Sequence, residues 1–217
     1  MTAYTYPKLR HTRTQVPPEC KAYSSYRPYL QIEFYRCCVY CRQPDTLVPS
    51  PNFGVDHYKP KSKFPDETNA YSNLYYCCSA CNSRKRDYWP SPTVAKEQFI
   101  PNPCDHIMFE HLRFQGDTVA PRTAAGIFTN ELLDLNDPGV IQFRAYVARQ
   151  LDVQRSKLRE LNSAVSLVRS KLAAGRVAAG DAEIDLRSLD DMTRIVESDI
   201  SRLLGTLPNY VREVVVS

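Results

Sequence analysis

Two Cys-x-x-Cys pairs constrain this chain more than any other feature of its sequence. They are Cys38/Cys41 and Cys78/Cys81. A two-residue spacing lets a tight turn aim two thiolates at one tetrahedral metal ion, and two such turns complete a four-sulfur site with no open position. The sequence therefore predicts a structural zinc site that joins two segments far apart along the chain.

The four other cysteines leave the exact ligands open. Cys37 and Cys77 each precede one of the pairs and would shift the ligands by one residue. We prefer the second cysteine of each doublet, because only that choice keeps the two-residue spacing. Cys20 and Cys104 are isolated, and we expect them to be buried or idle thiols.

The segment between the pairs carries side chains suited to hydrolysis. Asp56 and His57 end a short β-type run, Asn73 precedes an apolar step, and Asn82 directly follows the last cysteine of the second pair. A four-cysteine site alone shows only that metal binding contributes to folding, and each of these residues taken singly has an ordinary structural explanation. Their combination inside the zinc frame favours an active site.

This order of residues resembles the HNH endonuclease family. The resemblance rests on the Asp56-His57 pair, on Asn73, and on a Cys-x-x-Cys-Asn-x-x-Lys pattern that ends at Lys85. It covers residues 34–90, and Asn82 stands where many members have His. It implies a ββα-metal fold, in which two strands and a helix hold one catalytic metal ion.

The resemblance and the chemistry of phosphodiester hydrolysis assign a role to each residue. His57 is the expected general base, because its ordinary pKa lies near neutral pH. Asp56 and Asn82 offer hard oxygen ligands for a catalytic Mg²⁺ or Mn²⁺. Asn73 is expected to hold the loop around His57 by hydrogen bonds.

Basic residues are concentrated in the cysteine-containing half of the chain. Residues 1–130 contain 16 Lys and Arg against 11 Asp and Glu, whereas residues 131–217 contain 12 against 13. A basic excess beside an active site favours a polyanionic partner, although a solvated basic surface is the alternative. The candidate contacts to nucleic-acid phosphates are Lys59, Lys61, Arg84 and Lys85.

The chain divides into three regions by composition. Residues 1–33 are rich in Tyr and Pro and are expected to form an arm that wraps the domain or its partner; residues 34–130 form the nuclease domain; residues 131–217 are helical. Within the second region, Phe109–Phe114 and Thr118–Val119 are predicted strands of a hairpin with Gly116-Asp117 at its turn. The predicted class is α+β.

The C-terminal region predicts two long antiparallel helices. Asp137-Pro138 is a typical helix start, and Ala173-Ala174-Gly175 a typical end. Heptad-spaced apolar residues in the first helix are Val147, Leu151, Leu158, Leu161, Val165, Val168 and Leu172, interrupted by Gln154. Those assigned to the second helix are Leu189, Met192, Ile195, Val196, Leu203 and Leu204, and Pro208 is expected to end it. Two roles of this hairpin are open: a structural one, in which it packs on itself or on the first domain, and one as a docking or dimerisation arm.

Further pattern similarity links the chain to a bacterial subgroup of HNH proteins. The stretches that carry it are residues 71–82, Asp87-Tyr88-Trp89-Pro90 and residues 126–136. That subgroup includes the HNH subunits of Septu-type and retron-linked anti-phage defence systems. The resemblance implies a defence role and an ABC- or SMC-like ATPase as partner.

The sequence therefore predicts a metal-dependent HNH endonuclease that acts on DNA. The alternatives are an RNA-cleaving nuclease of the same type, with tRNA as an example, and a non-catalytic zinc-stabilised module that binds nucleic acid. No apolar run is long enough to span a membrane, and Met1–Arg13 has no apolar signal-peptide core. A cytoplasmic location without membrane contact is the expectation.

Overall fold

A computed structural model describes residues 4–47 and 52–206. The strands are β1 (Phe53–His57), β2 (Leu74–Cys78), β3 (Leu112–Gln115) and β4 (Thr118–Pro121). The helices are α1 (Arg27–Glu33), α2 (Ser79–Lys85), α3 (Met108–His111), α4 (Ala124–Leu132), α5 (Pro138–Ala173) and α6 (Ala179–Leu204). Short 3-10 turns cover Tyr23–Tyr26, Asp45–Leu47, Pro65–Glu67 and Tyr71–Asn73. This combination confirms the predicted α+β class.

The centre of the fold is an antiparallel pair of strands followed at once by a helix. β1 pairs with β2 so that Phe53 lies opposite Cys78 and His57 opposite Leu74. Every residue of β2 is buried. The Sγ of Cys78 accepts a hydrogen bond of 3.5 Å from the backbone N–H of Cys81, which caps the first turn of α2. The predicted ββα arrangement is therefore present.

The N-terminal arm packs against this core, as the sequence predicts for its Tyr-Pro composition. The hydroxyl of Tyr6 donates a hydrogen bond to the carbonyl of Tyr40 at 2.8 Å, and its ring stacks on Phe114 with centroids 4.9 Å apart. The guanidinium of Arg13 lies 4.7 Å from the ring centre of Tyr75 and donates to the carbonyl of Leu74 at 2.8 Å. These contacts make the arm part of the folded unit.

One buried carboxylate fastens the arm to α1. Glu33 is 1% exposed, and its Oε1 accepts hydrogen bonds from His11 Nε2 at 2.7 Å and from the backbone N–H of Thr14 at 2.9 Å. Its Oε2 accepts one from the backbone N–H of Gln15 at 2.8 Å. Burial alone raises the pKa of Glu33, but the hydrogen bonds from Thr14, Gln15 and His11 outweigh it and lower the pKa below 4.5.

The second β-hairpin lies slightly later in the chain than predicted. The predicted turn is confirmed, with Gly116 at a positive φ of 60°. The first strand begins at Leu112, however, because residues 108–111 form α3 instead of a strand. A Cβ on Gly126 would lie 2.1 Å from the carbonyl oxygen of His111, so only glycine lets α4 approach this junction.

The two C-terminal helices form the predicted antiparallel hairpin. Asp137 caps α5 through a hydrogen bond of 3.1 Å from the backbone N–H of Val140 to its Oδ1, and α5 ends at Ala173. Of the predicted heptad positions, Val147, Leu151 and Leu161 are buried, whereas Leu172 at the far end is 37% exposed. The predicted boundary between residues 130 and 131 falls inside α4, so the helical hairpin proper begins at Pro138.

The inward face of α6 differs from the prediction. Ala182 and Val196 are buried, whereas Met192 and Ile195 are 39% and 61% exposed. The predicted apolar set mixed two faces of the helix, because a two-helix hairpin buries only one stripe of each helix. The predicted end at Pro208 lies outside the described residues.

Gly205 ends α6 and returns the chain to the first cysteine pair. It has a positive φ of 72°, and a Cβ there would lie 2.8 Å from Pro44 Cβ. Thr46 Oγ1 also donates a hydrogen bond of 2.6 Å to the carbonyl of Arg202. The base of the hairpin is therefore attached to the segment that carries the first cysteine pair. Within the described ranges, no helix combines the length and the apolar character that crossing a membrane requires.

Replacing Glu33 by Gln is expected to lower the free energy of unfolding by about 2–3 kcal/mol, because charged acceptors of buried N–H groups are lost. Since the pKa of Glu33 is lower in the folded state, the stability it contributes is complete above pH 4.5 and is lost as the pH falls through the folded pKa. Urea unfolding across this acidic range measures both effects.

The control is Glu19→Gln, because Glu19 is exposed on the same arm. Equal stability of the Glu33 and Glu19 variants at neutral pH would contradict the anchoring role of Glu33.

Candidate active site

Four buried sulfur atoms from two distant segments meet beside the central hairpin. The Sγ atoms of Cys38, Cys41, Cys78 and Cys81 all lie within 4.8 Å of one another. The Cys41 and Cys78 sulfurs are 3.7 Å apart. A tetrahedral zinc–thiolate site with bonds of roughly 2.3 Å separates its sulfurs by roughly 3.8 Å. These four cysteines are therefore positioned to bind a metal ion, in the ligand register that the two-residue spacing favours.

Proton loss and metal binding are linked at this cluster. Hydrogen bonding with Cys38, Cys78 and Cys81, together with burial, raises the pKa of the Cys41 thiol well above its ordinary value of 9.0. Thiolates are the form that ligates metal, so metal binding and loss of these protons are coupled. The donor set and its burial fit a structural ion, and we call these four cysteines the clamp.

The other cysteines lie outside the clamp. Cys77 is buried, and its thiol donates to the carbonyl of Cys78 at 3.2 Å. Cys37 is buried at the contact with Gly205. Cys20 and Cys104 are partly exposed free thiols. The clamp therefore uses the second cysteine of each doublet.

Asp56 lies near the end of β1, and each of its carboxylate oxygens accepts one hydrogen bond. It is 2% exposed; its Oδ2 accepts a hydrogen bond of 2.6 Å from the Tyr40 hydroxyl, and its Oδ1 accepts one of 3.0 Å from Lys85 Nζ. The same ammonium donates to the carbonyl oxygen of His57 at 2.7 Å. Lys85 thus ties α2 to the end of β1 through two bonds.

His57 is held in one tautomer by its neighbour across the loop. Its Nε2 lies 2.9 Å from the carbonyl oxygen of Thr68. Because a carbonyl only accepts hydrogen bonds, Nε2 carries the proton, and Nδ1 is the free base. The ring of Tyr23 packs edge-on against His57 at 4.5 Å. Burial is the largest cause that lowers the pKa of His57 below 6.5, so the imidazole is neutral at neutral pH.

Asn73 bridges the loop that follows His57. Its Oδ1 accepts a hydrogen bond of 2.8 Å from the backbone N–H of Lys59, and its Nδ2 donates to the carbonyls of Lys59 at 3.0 Å and Glu67 at 3.3 Å. Asn73 is 4% exposed. These bonds hold the loop that follows His57, and the role of Asn73 in catalysis stays a prediction.

A cleft of about 320 Å³ opens at the meeting point of β1 and α2. Asp56, His57 and Asn82 line it together with Lys61 and Arg86. The side chain of Asn82 has no hydrogen-bond partner within residues 4–47 and 52–206. Three of the four predicted catalytic residues therefore share one cleft, and the fourth, Asn73, lies behind it.

The donor groups in this cleft are compatible with a divalent cation. A carboxylate has about four acceptor positions, and Tyr40 and Lys85 occupy only one on each oxygen of Asp56. The Asn82 carbonyl oxygen is uncommitted. Hard oxygen donors of this kind suit Mg²⁺ or Mn²⁺, and Asp56 with Asn82 would hold such an ion.

The structure corrects part of the predicted phosphate-binding set. Lys85 is 1% exposed and engaged with Asp56, so the prediction that it contacts phosphate is wrong. Its place on the inner face of α2 buries it, which the pattern of basic residues does not reveal. Lys61 is exposed at the rim of the cleft, and its contact with phosphate stays a prediction.

Two other predicted cations are committed to ion pairs. Arg84 pairs with Asp134 at 3.1 Å and with Asp137 at 3.7 Å. It also donates a hydrogen bond to the carbonyl of Leu133 at 3.1 Å. Together these contacts join α2 to the start of α5. Lys59 pairs with Glu67 at 2.7 Å. Both are therefore less available to phosphate than their sequence position suggests.

Sequence reasoning missed two residues that contact the site. Tyr40, between the first two clamp cysteines, binds the Asp56 carboxylate, and Tyr23 packs on His57. The chain separation between Tyr23 and His57 leaves no signal in the sequence. Tyr40 does have a weak sequence signal. It lies inside the Cys38–Cys41 turn, which is expected to pack beside the strand that contains Asp56.

Comparison with known families agrees with this geometry. Residues 38–87 match the family model described as HNH endonuclease. The match begins at the first clamp cysteine and ends just beyond α2, so it spans both cysteine pairs and the cleft. Comparisons with curated proteins and with solved structures found no match.

Replacing Cys78 by Ser is expected to release the clamp metal and unfold the ββα core, because binding of a four-cysteine ion contributes on the order of 10 kcal/mol to folding. Metal per chain after dialysis and circular dichroism measure the two effects. The matched control is Cys77→Ser, where a hydroxyl can keep the hydrogen bond to the Cys78 carbonyl. Metal loss in the Cys77 variant, with retention in the Cys78 variant, would show that the ligand register is shifted.

Replacing Lys85 by Met is expected to destabilise the fold by about 3–5 kcal/mol, because the Asp56 carboxylate is left buried without its cation. Denaturant unfolding measures this loss, with Lys63→Met as the exposed control. The double variant Asp56→Asn/Lys85→Met is expected to regain most of the stability, since neither charge remains. A single Lys85 variant as stable as the control would contradict the buried ion pair.

Proposed function

We propose that the protein is a metal-dependent endonuclease that hydrolyses phosphodiester bonds of DNA, from the premise that residues 38–87 match the HNH endonuclease family. One observation carries the proposal. Asp56, His57 and Asn82 line the same cleft although they belong to two different elements. A domain that only binds nucleic acid has no need of a buried carboxylate and a neutral imidazole at one opening.

The chain's own residues supply the proton chemistry. His57 Nδ1 accepts the proton of the attacking water, and the bond from Nε2 to the Thr68 carbonyl keeps the ring in place and stabilises the imidazolium that forms. Lys85 fixes the end of β1, and Asn73 fixes the loop after it. A divalent cation held by Asp56 and Asn82 would polarise the phosphate and stabilise the leaving oxygen.

The clamp and the catalytic ion have separate roles in this proposal. We propose zinc for the clamp, because four closed thiolate ligands suit it, and Mg²⁺ or Mn²⁺ for the cleft, because its donors are oxygens. Lys61 and Arg86 at the cleft rim are the proposed phosphate contacts.

We also propose the division of the chain into an arm, a nuclease domain and a helical region, and a cytoplasmic location for the protein.

The polymer that is cut has two candidates. DNA is preferred from the resemblance to HNH endonucleases. RNA is the second candidate, since no residue lining the cleft distinguishes a ribose from a deoxyribose. The alternative is a non-catalytic role in binding nucleic acid. A cleavage assay distinguishes it, because a protein of that kind would cut neither polymer.

We also propose that the protein serves an anti-phage defence system with an ABC- or SMC-like ATPase, on the basis of the pattern similarity described above. The outward face of α6 is the proposed docking surface. It carries Ile184 and Ile195, which are 69% and 61% exposed, along a groove that also includes Arg187 and Asp191. Co-expression with the neighbouring gene should yield a complex of its ATPase product with this protein. A neighbouring gene that encodes no ATPase, or an ATPase that does not co-purify with this protein, would overturn the assignment.

Replacing His57 by Ala is expected to reduce cleavage at least about 100-fold, because a positioned general base contributes about that much or more. Plasmid DNA and bulk tRNA, each with Mg²⁺ or Mn²⁺, are the substrates, and the initial rate is the measurement. The matched control is His111→Ala, since His111 lies outside the cleft lining. EDTA at a concentration that leaves the clamp metal bound should stop cleavage of whichever polymer is cut.

Full activity of the His57 variant would refute the assigned base. Absence of cleavage of both polymers by the unsubstituted protein, also with the neighbouring gene product and ATP, would refute the nuclease proposal.

A further inference from the structure

A second cavity lies near the C-terminal end of α2 and is lined mainly by aromatic rings. Its volume is about 260 Å³. The aromatic side chains that form it belong to Tyr58, Tyr88, Trp89, Phe99 and His106. Pro90, Ala95 and Ile100 complete its walls, and the Lys85 side chain reaches it as well. None of these aromatic residues has a role in the proposed hydrolysis.

The polar ends of the two tyrosines are already used inside the protein. The Tyr58 hydroxyl donates to the carbonyl of Ile100 at 2.8 Å, and the Tyr88 hydroxyl donates to the carbonyl of Gln98. Tyr58 and Trp89 meet nearly at right angles, with an interplanar angle of 85° and centroids 5.6 Å apart. What remains for a ligand is apolar ring surface, and a flat, polarisable group is the chemistry that such walls bind best.

The pocket is continuous with the active cleft around the end of α2. A shallow groove lies between the two and is lined by Lys63, Arg84, Arg86, Tyr88 and neighbouring residues. It shares Arg86 and Asp87 with the active cleft, and Lys85 and Tyr88 with the aromatic pocket. Lys63 and Arg86 are the cations on this path that have no ion pair among the described residues, and their charge complements a phosphate backbone.

We propose that the aromatic pocket binds one unpaired nucleobase of the strand that occupies the active cleft. This inference rests on the proposed function and names a preference within it. A base in a duplex is stacked and paired, and it has to leave the helix to enter such a pocket. The protein is therefore selective for single-stranded, looped or locally opened nucleic acid next to the bond that is cut.

Trp89 makes the proposal directly measurable, because it is the only tryptophan in the chain. The experiment uses the full-length His57→Ala protein, which binds without cutting, and follows Trp89 fluorescence on titration with a short single-stranded DNA or RNA. A matched strand of the same length, with the bases removed but the phosphates kept, separates base binding from charge. Quenching by the intact strand alone is the expected result, with affinity about tenfold above that of the abasic strand.

A variant that fills the pocket supplies the second arm. Ala95 is exposed and lines the pocket without contributing to the aromatic walls. Ala95→Phe should lower affinity for the intact strand about tenfold, as measured by fluorescence anisotropy, and leave affinity for the abasic strand unchanged. Ala174→Phe is the control, since Ala174 is exposed at the far end of α5. Equal binding of the two strands, or equal behaviour of the two variants, would overturn the nucleobase site.

Plasmid cleavage by the unsubstituted protein separates this inference from the proposed function. Cleavage that depends on His57, without any base-dependent quenching, would overturn the pocket and leave the nuclease intact. Base-dependent quenching that Ala95→Phe removes, in a protein that cuts neither DNA nor RNA, would support the pocket and count against hydrolysis.

Discussion

The four sulfur atoms of the clamp hold together the two pieces of chain that make up the candidate active site. Cys78 ends β2 and caps α2, and Cys81 lies within α2, directly before Asn82. The other pair, in the segment before β1, also carries Tyr40, which binds Asp56. A small ββα unit buries too little apolar surface to fix a seven-residue helix by packing alone. A metal ion bound at the clamp would therefore set where Asn82 stands relative to β1.

Inside this frame, a buried ion pair fixes the reacting end of β1. Lys85 is joined to both Asp56 and the carbonyl of His57, and it replaces water around a carboxylate that is 2% exposed. Removing charges from water is unfavourable unless they are paired with good geometry. The hydroxyl of Tyr40 and the ammonium of Lys85 together offset this cost and hold the Asp56 carboxylate at the cleft that His57 and Asn82 also line.

The parts outside the core contribute through contact with it. The arm is attached through Glu33 and brings Tyr23 to the face of His57, so the N-terminal segment closes one side of the cleft. The helical hairpin is attached at both ends, through Arg84 at the start of α5 and through Gly205 at the end of α6. The outward face of α6 leaves Ile184 and Ile195 exposed. The proposed partner surface and the proposed cleft are thus on separate parts of one chain.

Short-range features of the sequence were enough to identify the clamp, the Asp56-His57 pair, Asn73, Asn82 and the heptad seam of α5, because ligand spacing and helical periodicity are properties of neighbouring residues. Only the tertiary structure decided that Lys85 is buried, that Arg84 is held by Asp134, and that Ile195 faces outward. The contact of Tyr23 with His57 and the aromatic pocket around Trp89 are also visible only in the tertiary structure. Those outcomes depend on which distant segments meet, and burial or ion pairing between them leaves no periodic signal along the chain.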